Sequence, residues 1–240
     1  MSQPTNNAEA MVKQQRSHTL LVFCKAVDGQ AESFLNRFKQ ELLQGVLNID
    51  KVIAGRHYQE HPLNLSGDYK PIGYDCLGLY QLSLSCEKEA SEVIHAINAL
   101  YDSEPSAEAI ATWLYYPVSE KVGCNPAITS PSTEYITIAF ANAVKGREAE
   151  FRQWYTTEHL RHALLVPALT SSQRFELASH QTPGAMASSY ETIAIYEQDD
   201  TPENMLKGMA TIDPAKVPEV WWSLSGDLER FTEWAYQALN

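Results

Sequence analysis

Residues 140–175 read FANAVKGREAEFRQWYTTEHLRHALLVPALTSSQRF, and residues 23–58 read FCKAVDGQAESFLNRFKQELLQGVLNIDKVIAGRHY. The two stretches align without a gap, and Gly29 coincides with Gly146. Each begins with an apolar run that is typical of a strand, followed by a glycine turn and a helical pattern. Such self-similarity predicts that the chain contains the same structural unit twice.

A second ungapped match follows in the same order, where YDCLGLYQ from Tyr74 aligns with YETIAIYE from Tyr190. Each half then shows the same series of strand and helix patterns, βαββαβ, in which apolar residues recur at strand or helix spacing. We predict strands near 18–26, 51–59, 74–84 and 110–118, a helix after the Gly29 turn whose buried face runs from Ala31 to Leu43, and a second helix at 88–101. For the second half we predict strands near 134–143, 168–177, 190–197 and 219–225, a helix after the Gly146 turn and a second helix at 202–210.

The domain boundaries follow from the repeat. We predict a polar, disordered tail over residues 1–17, a first repeat over 18–122 and a second repeat over 134–240. The segment GCNPAITSPST at 123–133 has the composition of a linker. Apolar residues at helical spacing predict an additional C-terminal helix over 226–239.

Composition and charge exclude several classes of protein. The 240 residues are 44% hydrophobic and 20% charged, as in an ordinary globular protein. The formal net charge is -12 and the basic residues are dispersed, so the surface would repel nucleic acid. No run approaches the length of a membrane span, and no secretory signal opens the sequence. We therefore expect no membrane partner and a cytoplasmic protein.

The four cysteines are scattered and form no CxxC pair. This pattern favours reduced thiols over a disulfide framework or a zinc site. Motifs for nucleotide binding, serine hydrolases and zinc proteases, such as GxGxxG, GxSxG and HExxH, are missing.

The second repeat resembles the dimeric α/β-barrel superfamily, and more narrowly its EthD-like members. Their pattern is a strand, a glycine turn, a helix with WYxxxH, then LxVP and a strand ending in RF. The matching residues are Trp154, Tyr155, His159, Leu164, Val166, Pro167, Arg174 and Phe175.

The resemblance implies a fold and a range of functions. The implied fold is α+β, with two tandem ferredoxin-like βαββαβ repeats forming an α/β-barrel pseudo-dimer. Each sheet is covered either by the other sheet of the chain or by a repeat of another chain. The superfamily includes cofactor-free monooxygenases, cyclases, isomerases, dehydratases, decarboxylases and haem enzymes, so the fold alone does not choose a reaction.

His159 is the strongest candidate for chemistry. It lies at the edge of the helix face formed by Phe151, Trp154, Tyr155 and His162, and its counterpart in the first repeat is Leu42. An imidazole at an apolar position predicts a shifted pKa and specific hydrogen bonds. His159 could be a general acid or base, a core histidine or a metal or haem ligand; His162, three residues on, could share a metal.

Arg174 is the second catalytic candidate, because its charge could stabilise a carboxylate or phenolate. It occupies the position of His57 in the first repeat, and a surface ion pair is its alternative role. The predicted substrate-binding residues are Trp154, Tyr155, His162, Tyr190 and His57. Aromatic residues on the two predicted last strands could also line a pocket or form core: Trp113, Tyr115, Tyr116, Trp221 and Trp222.

These observations predict a cofactor-independent enzyme in which His159 moves a proton on an aromatic or carbonyl-bearing metabolite, in a lyase, isomerase or cyclase step. Two alternatives stay open: a small-molecule binding protein without chemistry, and a haem- or oxygen-dependent oxidoreductase of the same fold. The partner in each case is a small-molecule ligand. Exposed sheet edges also predict a homo-oligomer.

Overall fold

A computed structural model describes residues 17–63, 65, 74–123, 134–181, 188, 190–213, 215 and 228–239. The predicted tail lies outside these residues except for Ser17, and the predicted linker lies outside them except for Gly123. No helix in the described part of the chain is long and apolar enough to cross a membrane.

The elements follow one another as strand, helix, strand, strand, helix, strand, and this order occurs twice. The strands are β1 Ser17–Ala26, β2 Val52–Glu60, β3 Cys76–Ser83, β4 Ala107–Pro117, β5 Val122–Gly123, β6 Tyr135–Ala143, β7 Leu169–Leu177, β8 Thr192–Gln198 and β9 Leu228–Ala238. The helices are α1 Ala31–Arg37, α2 Leu43–Leu47, α3 Glu87–Asp102, α4 Glu148–Trp154, α5 Leu160–Ala163 and α6 Pro202–Ala210. These bounds confirm most of the predicted elements to within a few residues.

One π-helical turn joins the two α-helices at the start of each half. The turn Phe38–Leu42 joins α1 to α2, and the turn Tyr155–His159 joins α4 to α5. The preceding turns place Gly29 at φ 78° and Gly146 at φ 87°, where a side chain would be strained. Both matched positions therefore require glycine for the same reason, a positive φ angle.

The strands form one antiparallel sheet that closes on itself. Their order is β4-β1-β3-β2-β9-β6-β8-β7-β5, and β4 also pairs with β7. The two halves meet at β2 with β9, where Tyr58 lies opposite Ala238, and at β4 with β7, where Tyr116 lies opposite Glu176. This is a mixed α+β fold built on a closed antiparallel sheet.

The C-terminal helix predicted over 226–239 is wrong, because Leu228–Ala238 is the strand β9. Every second residue from Trp234 onward, namely Trp234, Tyr236 and Ala238, belongs to the barrel interior. The strand lies between β6 and β2, where a helix could not supply the backbone hydrogen bonds that join the two halves. The predicted strand at 219–225, with Trp221 and Trp222, lies outside the described residues.

Three large buried layers result from this arrangement, with a small fourth cluster of Val166, Ala168 and Met205. The barrel interior combines residues of both halves and is rich in aromatic rings, among them Phe23, Trp113, Tyr115, Phe140, Tyr190 and Trp234. The first helix layer lies between the sheet and the helices of the first half and includes Leu20, Val22, Phe34, Phe38, Tyr80, Ile97 and Tyr101. The second helix layer has Ala139, Ala141, Phe151, Tyr155, Leu160, Ala163, Ala194 and Tyr196.

Candidate functional site

His159 lies in the π-helical turn of the second half and packs against two aromatic rings. Its ring centroid is 4.8 Å from that of Trp154 and 4.7 Å from that of Tyr155. Burial, assisted by the nearby His162, lowers the pKa of His159 to about 4. The imidazole is therefore neutral at pH 7 and has a lone pair with which to accept a proton or bind a metal.

Tyr155 connects His159 to the sheet. Its hydroxyl lies 3.2 Å from the hydroxyl of Tyr196 on β8, and both side chains are buried. Burial raises the pKa of both tyrosines, so each hydroxyl keeps its proton and can donate it in a hydrogen bond.

Arg174 on β7 is a buried cation with an unused donor. Its side chain is 3% exposed; Nε donates to Thr156 Oγ1 at 3.0 Å and Nη2 donates to Glu176 Oε1 at 3.1 Å. Within the described part of the chain, the buried Nη1 has no hydrogen-bond partner. The charge of Arg174 also acts on Tyr155, so the two groups are neighbours.

Glu176 does not fully neutralise the charge of Arg174, because its carboxylate pairs with two guanidinium groups. Arg152 Nε donates to the same Oε1 at 2.8 Å, and the Tyr116 hydroxyl donates to Oε2 at 3.0 Å. One carboxylate shared by two arginines leaves an excess positive charge beside Arg174. Tyr116 reaches Glu176 from β4, so the first half also contributes to this cluster.

His57 lies in a different environment, within the first helix layer. Its ring stacks on Phe38 at 3.8 Å, Nδ1 lies 2.5 Å from the Phe38 carbonyl oxygen, and Nε2 is bonded to the Tyr80 hydroxyl. The Tyr80 hydroxyl is in turn 2.6 Å from that of Tyr101. Burial lowers the pKa of His57 to about 3. Both ring nitrogens are occupied, which identifies a core histidine separate from the His159 cluster.

Tyr190 also lies apart from His159. Its ring is 5.3 Å from that of Phe140 in the barrel interior, on the opposite face of the sheet. The sequence-predicted residues His159, Trp154, Tyr155, His162 and Arg174 are thus brought together, whereas Tyr190 and His57 are not.

Sequence reasoning missed Glu233, which lies on β9 opposite Ala139. Trp234 and Tyr236 point into the barrel interior, so alternation directs Glu233 to the second helix layer. The charge of Glu233 acts on both Tyr155 and Tyr196. Burial raises the pKa of Glu233 to about 7. The missed signal is the period-two pattern of 232–238, which the prediction read as helical.

A cleft of about 170 Å³ opens beside Glu233, where the chain leaving β2 runs along β9. It is lined by Glu60, His61, Pro62, Leu63, Glu233, Trp234 and Ala235. Burial, with a smaller effect of Asp75, raises the pKa of Glu60 to about 7. The cleft therefore contains two carboxyl groups that can exchange protons near neutral pH.

The described residues offer no group of three or more histidine, cysteine or acidic side chains that could hold a metal ion. The pairing of His159 with His162 as metal ligands therefore gains no third ligand from them. If the protein held a haem, neutral His159 would be the described residue that binds its iron.

No protein-family model matches the chain, and no curated protein sequence matches it. The chain is similar in structure to an anthrone oxidase-like protein, with 8% identity, a TM-score of 0.60 and coverage of 95% of this chain and 93% of that one. A candidate monooxygenase from Fusobacterium nucleatum has 6% sequence identity and a TM-score of 0.60, and the match covers 95% of this chain and 94% of that one. Chlorite dismutase from Candidatus Nitrospira defluvii has 10% sequence identity and a TM-score of 0.56, and the match covers 95% of this chain and 92% of that one. At these identities the likeness concerns the fold alone, and the chain has the ferredoxin-like α+β barrel fold of these proteins.

Proposed function

We propose that the chain is an enzyme of small-molecule metabolism whose site lies in the second helix layer, where His159 moves a proton and Arg174 binds an anionic group. The metabolite is aromatic or carbonyl-bearing, and the step is of the lyase, isomerase or cyclase type without a cofactor.

A comparison of matched positions carries this proposal. Phe38, Leu42 and His57 of the first helix layer correspond to Tyr155, His159 and Arg174 of the second. Each change adds a polar or charged group to a buried layer, and burying such groups costs free energy unless they are paired. The unused Nη1 of Arg174 is the clearest case, since a ligand anion would supply its missing acceptor.

The size of the second helix layer supports a ligand there. Val22 and Cys24 of the first layer correspond to the smaller Ala139 and Ala141 in the second. Helix α3 buries Ala90, Val93, Ile94, Ile97 and Tyr101, whereas the shorter α6 buries Pro202 and Met205. The sheet face of the second helix layer is thus built from smaller β6 side chains than the matching β1 side chains of the first.

The proposed step uses the neutral state of His159. The imidazole accepts a proton from a carbon or hydroxyl of the bound metabolite, and the electron pair left behind forms an enolate or phenolate. Arg174 Nη1 and the tyrosine hydroxyls stabilise that anion, which in turn compensates the buried imidazolium. His159 then returns the proton to the product.

The test is a survey of enolisable ketones, phenols and aromatic carboxylates in deuterium oxide, followed by NMR. Wild-type protein should exchange or convert at least one compound. His159→Leu, which introduces the residue found at the matched first-half position, should fold normally and lower that rate at least about 100-fold. His95→Gln, at an exposed position of α3 in the first half, is the control and should keep most of the rate. A folded His159→Leu protein with the wild-type rate would end the proposal.

We also propose that the two halves are tandem repeats of EthD-like ancestry, and that the first replaces the second subunit of a simpler dimer. The matched glycine turns, the matched π-helical turns and the two seams of the barrel support this origin. Association of whole chains into a homo-oligomer stays part of the proposal, with light scattering as its test.

A haem- or oxygen-dependent oxidoreductase is the second candidate. Neutral, largely buried His159 is in the form that binds iron. The second helix layer has small alanine side chains on the sheet, against which a flat group could pack. Haem would supply the redox chemistry, and His159 would hold it. A Soret band that follows the protein through purification and disappears in His159→Leu would favour this candidate. Recovery of an unchanged metabolite without product would instead favour a binding protein.

A further inference from the structure

Gln198 is a polar residue at the end of β8 that the proposed reaction does not use. Its side chain is fully buried, and Nε2 donates a hydrogen bond to the Thr137 hydroxyl on β6. Gln198 follows Tyr196 by two positions, so strand alternation places both side chains in the second helix layer. Thr137 precedes Ala139 of the same layer by two positions on β6. The polar pair of Gln198 and Thr137 therefore lies in the layer that holds the proposed site.

The matched positions of the first half are apolar. Carried one residue further, the alignment from Tyr74 and Tyr190 matches Leu82 to Gln198, and the longer alignment, carried back three residues, matches Leu20 to Thr137. Both leucines are fully buried in the first helix layer. Strand pairing agrees, because Leu20 and Thr137 lie opposite equivalent tyrosines. Two polar residues thus stand where the first half packs two leucines, which costs free energy unless their polar atoms are paired.

One atom of the polar pair is left without a partner. Gln198 Oε1 is buried and accepts no hydrogen bond from any residue that the structure describes. With Arg174 Nη1, it makes two unpaired buried atoms in the second helix layer, one an acceptor and one a donor. Because buried polar atoms are nearly always paired, these two atoms point to a molecule bound in this layer.

Strand pairing gives the separation of the two residues. Arg174 on β7 lies opposite Ala194 on β8, and Gln198 is four residues further along β8, which corresponds to about 13 Å. Tyr196, whose hydroxyl is 3.2 Å from that of Tyr155, comes between them along the strand. A ligand that reaches both residues is therefore elongated.

We propose that Gln198 is a second anchor of the site and binds a hydroxyl group of the metabolite, at the end opposite the anion held by Arg174. The inference deepens the proposed function and rests on it for the anionic end. A hydroxyl both donates and accepts, so it pairs with the Gln198 amide in either orientation of that amide. It also needs no counter-charge, and neither Gln198 nor Thr137 provides one.

The rings beside His159 define the middle of the ligand. Trp154 and Tyr155 offer aromatic surface in the same layer, on which an aromatic ring can stack. The substrate class is thus an elongated aromatic carboxylate with a hydroxyl group at the far end of the ring.

The test is isothermal titration calorimetry with para-hydroxyphenylpropionate and phenylpropionate, which differ only in the hydroxyl group. Wild-type protein should bind the hydroxylated compound at least about tenfold more tightly, because only that compound pairs with Gln198. Gln198→Leu, which introduces the residue of the matched first-half position, should abolish this preference and bind phenylpropionate at least as tightly as the wild type. Arg174→Lys is the control and should weaken the binding of both compounds alike.

A neutral pair of probes, para-ethylphenol and ethylbenzene, tests the hydroxyl anchor without the anion. The proposal is overturned if the wild type prefers the hydroxylated compound in neither pair, or if the preference survives in Gln198→Leu. If Gln198→Leu does not fold, the double variant Thr137→Val with Gln198→Leu, which makes both positions apolar as in the first half, provides the measurement. A Gln198-dependent preference in the neutral pair alone would retain the anchor and reject the anion site of the proposed function.

Discussion

At the scale of single residues, the two histidines with lowered pKa values lie in different environments, His57 fully and His159 partly buried. His57 is bonded through both ring nitrogens in the first helix layer, whereas the His159 ring packs against Trp154 and Tyr155. We therefore expect His57→Phe to destabilise the fold by about 1–3 kcal/mol, since the Tyr80 hydroxyl and the Phe38 carbonyl each lose a partner. Urea unfolding measures this change. A wild-type midpoint in His57→Phe would show that the network does not serve the fold.

The lowered pKa values of both histidines predict that the fold loses stability in acid. Burial lowers the pKa of His57 to about 3 and of His159 to about 4, below the ordinary value of 6.5. The unfolded chain takes up protons as pH falls through 6.5, but the native state does not, so their contribution to stability is lost progressively below that pH. His159→Leu should flatten the loss of unfolding free energy between pH 6.5 and 4.5. An equally steep loss would contradict a buried neutral imidazole.

At the scale of elements, the sequence predicted most strands and helices because the repeat shows each pattern twice. The C-terminal segment failed for a physical reason. Apolar residues at 228, 231, 234, 235 and 239 fit a helix, while 232–238 also alternate as a strand, and only pairing with β6 and β2 selects the strand. Comparison with the first repeat could not correct the helix assignment, because the ungapped matches between the two halves end before the C-terminal segment.

The assignment of β9 predicts the effect of proline. The Ala238 amide donates to the Glu134 carbonyl at 2.7 Å, and Ala238 is buried between β6 and β2. Ala238→Pro removes that donor and should lower the unfolding free energy by about 1–3 kcal/mol. Ala238→Gly keeps the amide and should cost less. Equal thermal stability of the two variants would argue against a paired strand at this position.

At the scale of the whole molecule, the barrel interior is shared between the halves. Phe23 and Trp113 of the first half pack on Phe140 and Trp234 of the second. A fragment of residues 17–123 would expose this aromatic face, so we expect it to self-associate and bind a hydrophobic dye. Size-exclusion chromatography with light scattering checks this, with the full chain as control. A monomeric, dye-free fragment would show that each half folds independently.

The internal repeat also made part of the candidate site predictable from the sequence. The contrast between His159 and Leu42, and the match of Arg174 to His57, are visible once the repeat is aligned. The sequence could not show that His57 and Tyr190 belong to other layers, because strand alternation assigns faces only after the pairing register is known. Nor could it show Glu233, which reaches the site through β9, a strand whose pairing joins the two halves.

The most direct test of the central claim, an anion site at Arg174 in the second helix layer, is a titration of Trp154 fluorescence with benzoate and its neutral analogue benzamide. Trp154→Phe provides the background signal. We predict saturable binding of benzoate, at least about tenfold weaker binding of benzamide, and a similar loss for benzoate in Arg174→Lys, which keeps the charge but lacks the second donor. Equal binding of both probes, or benzoate binding unchanged in Arg174→Lys, would contradict the account.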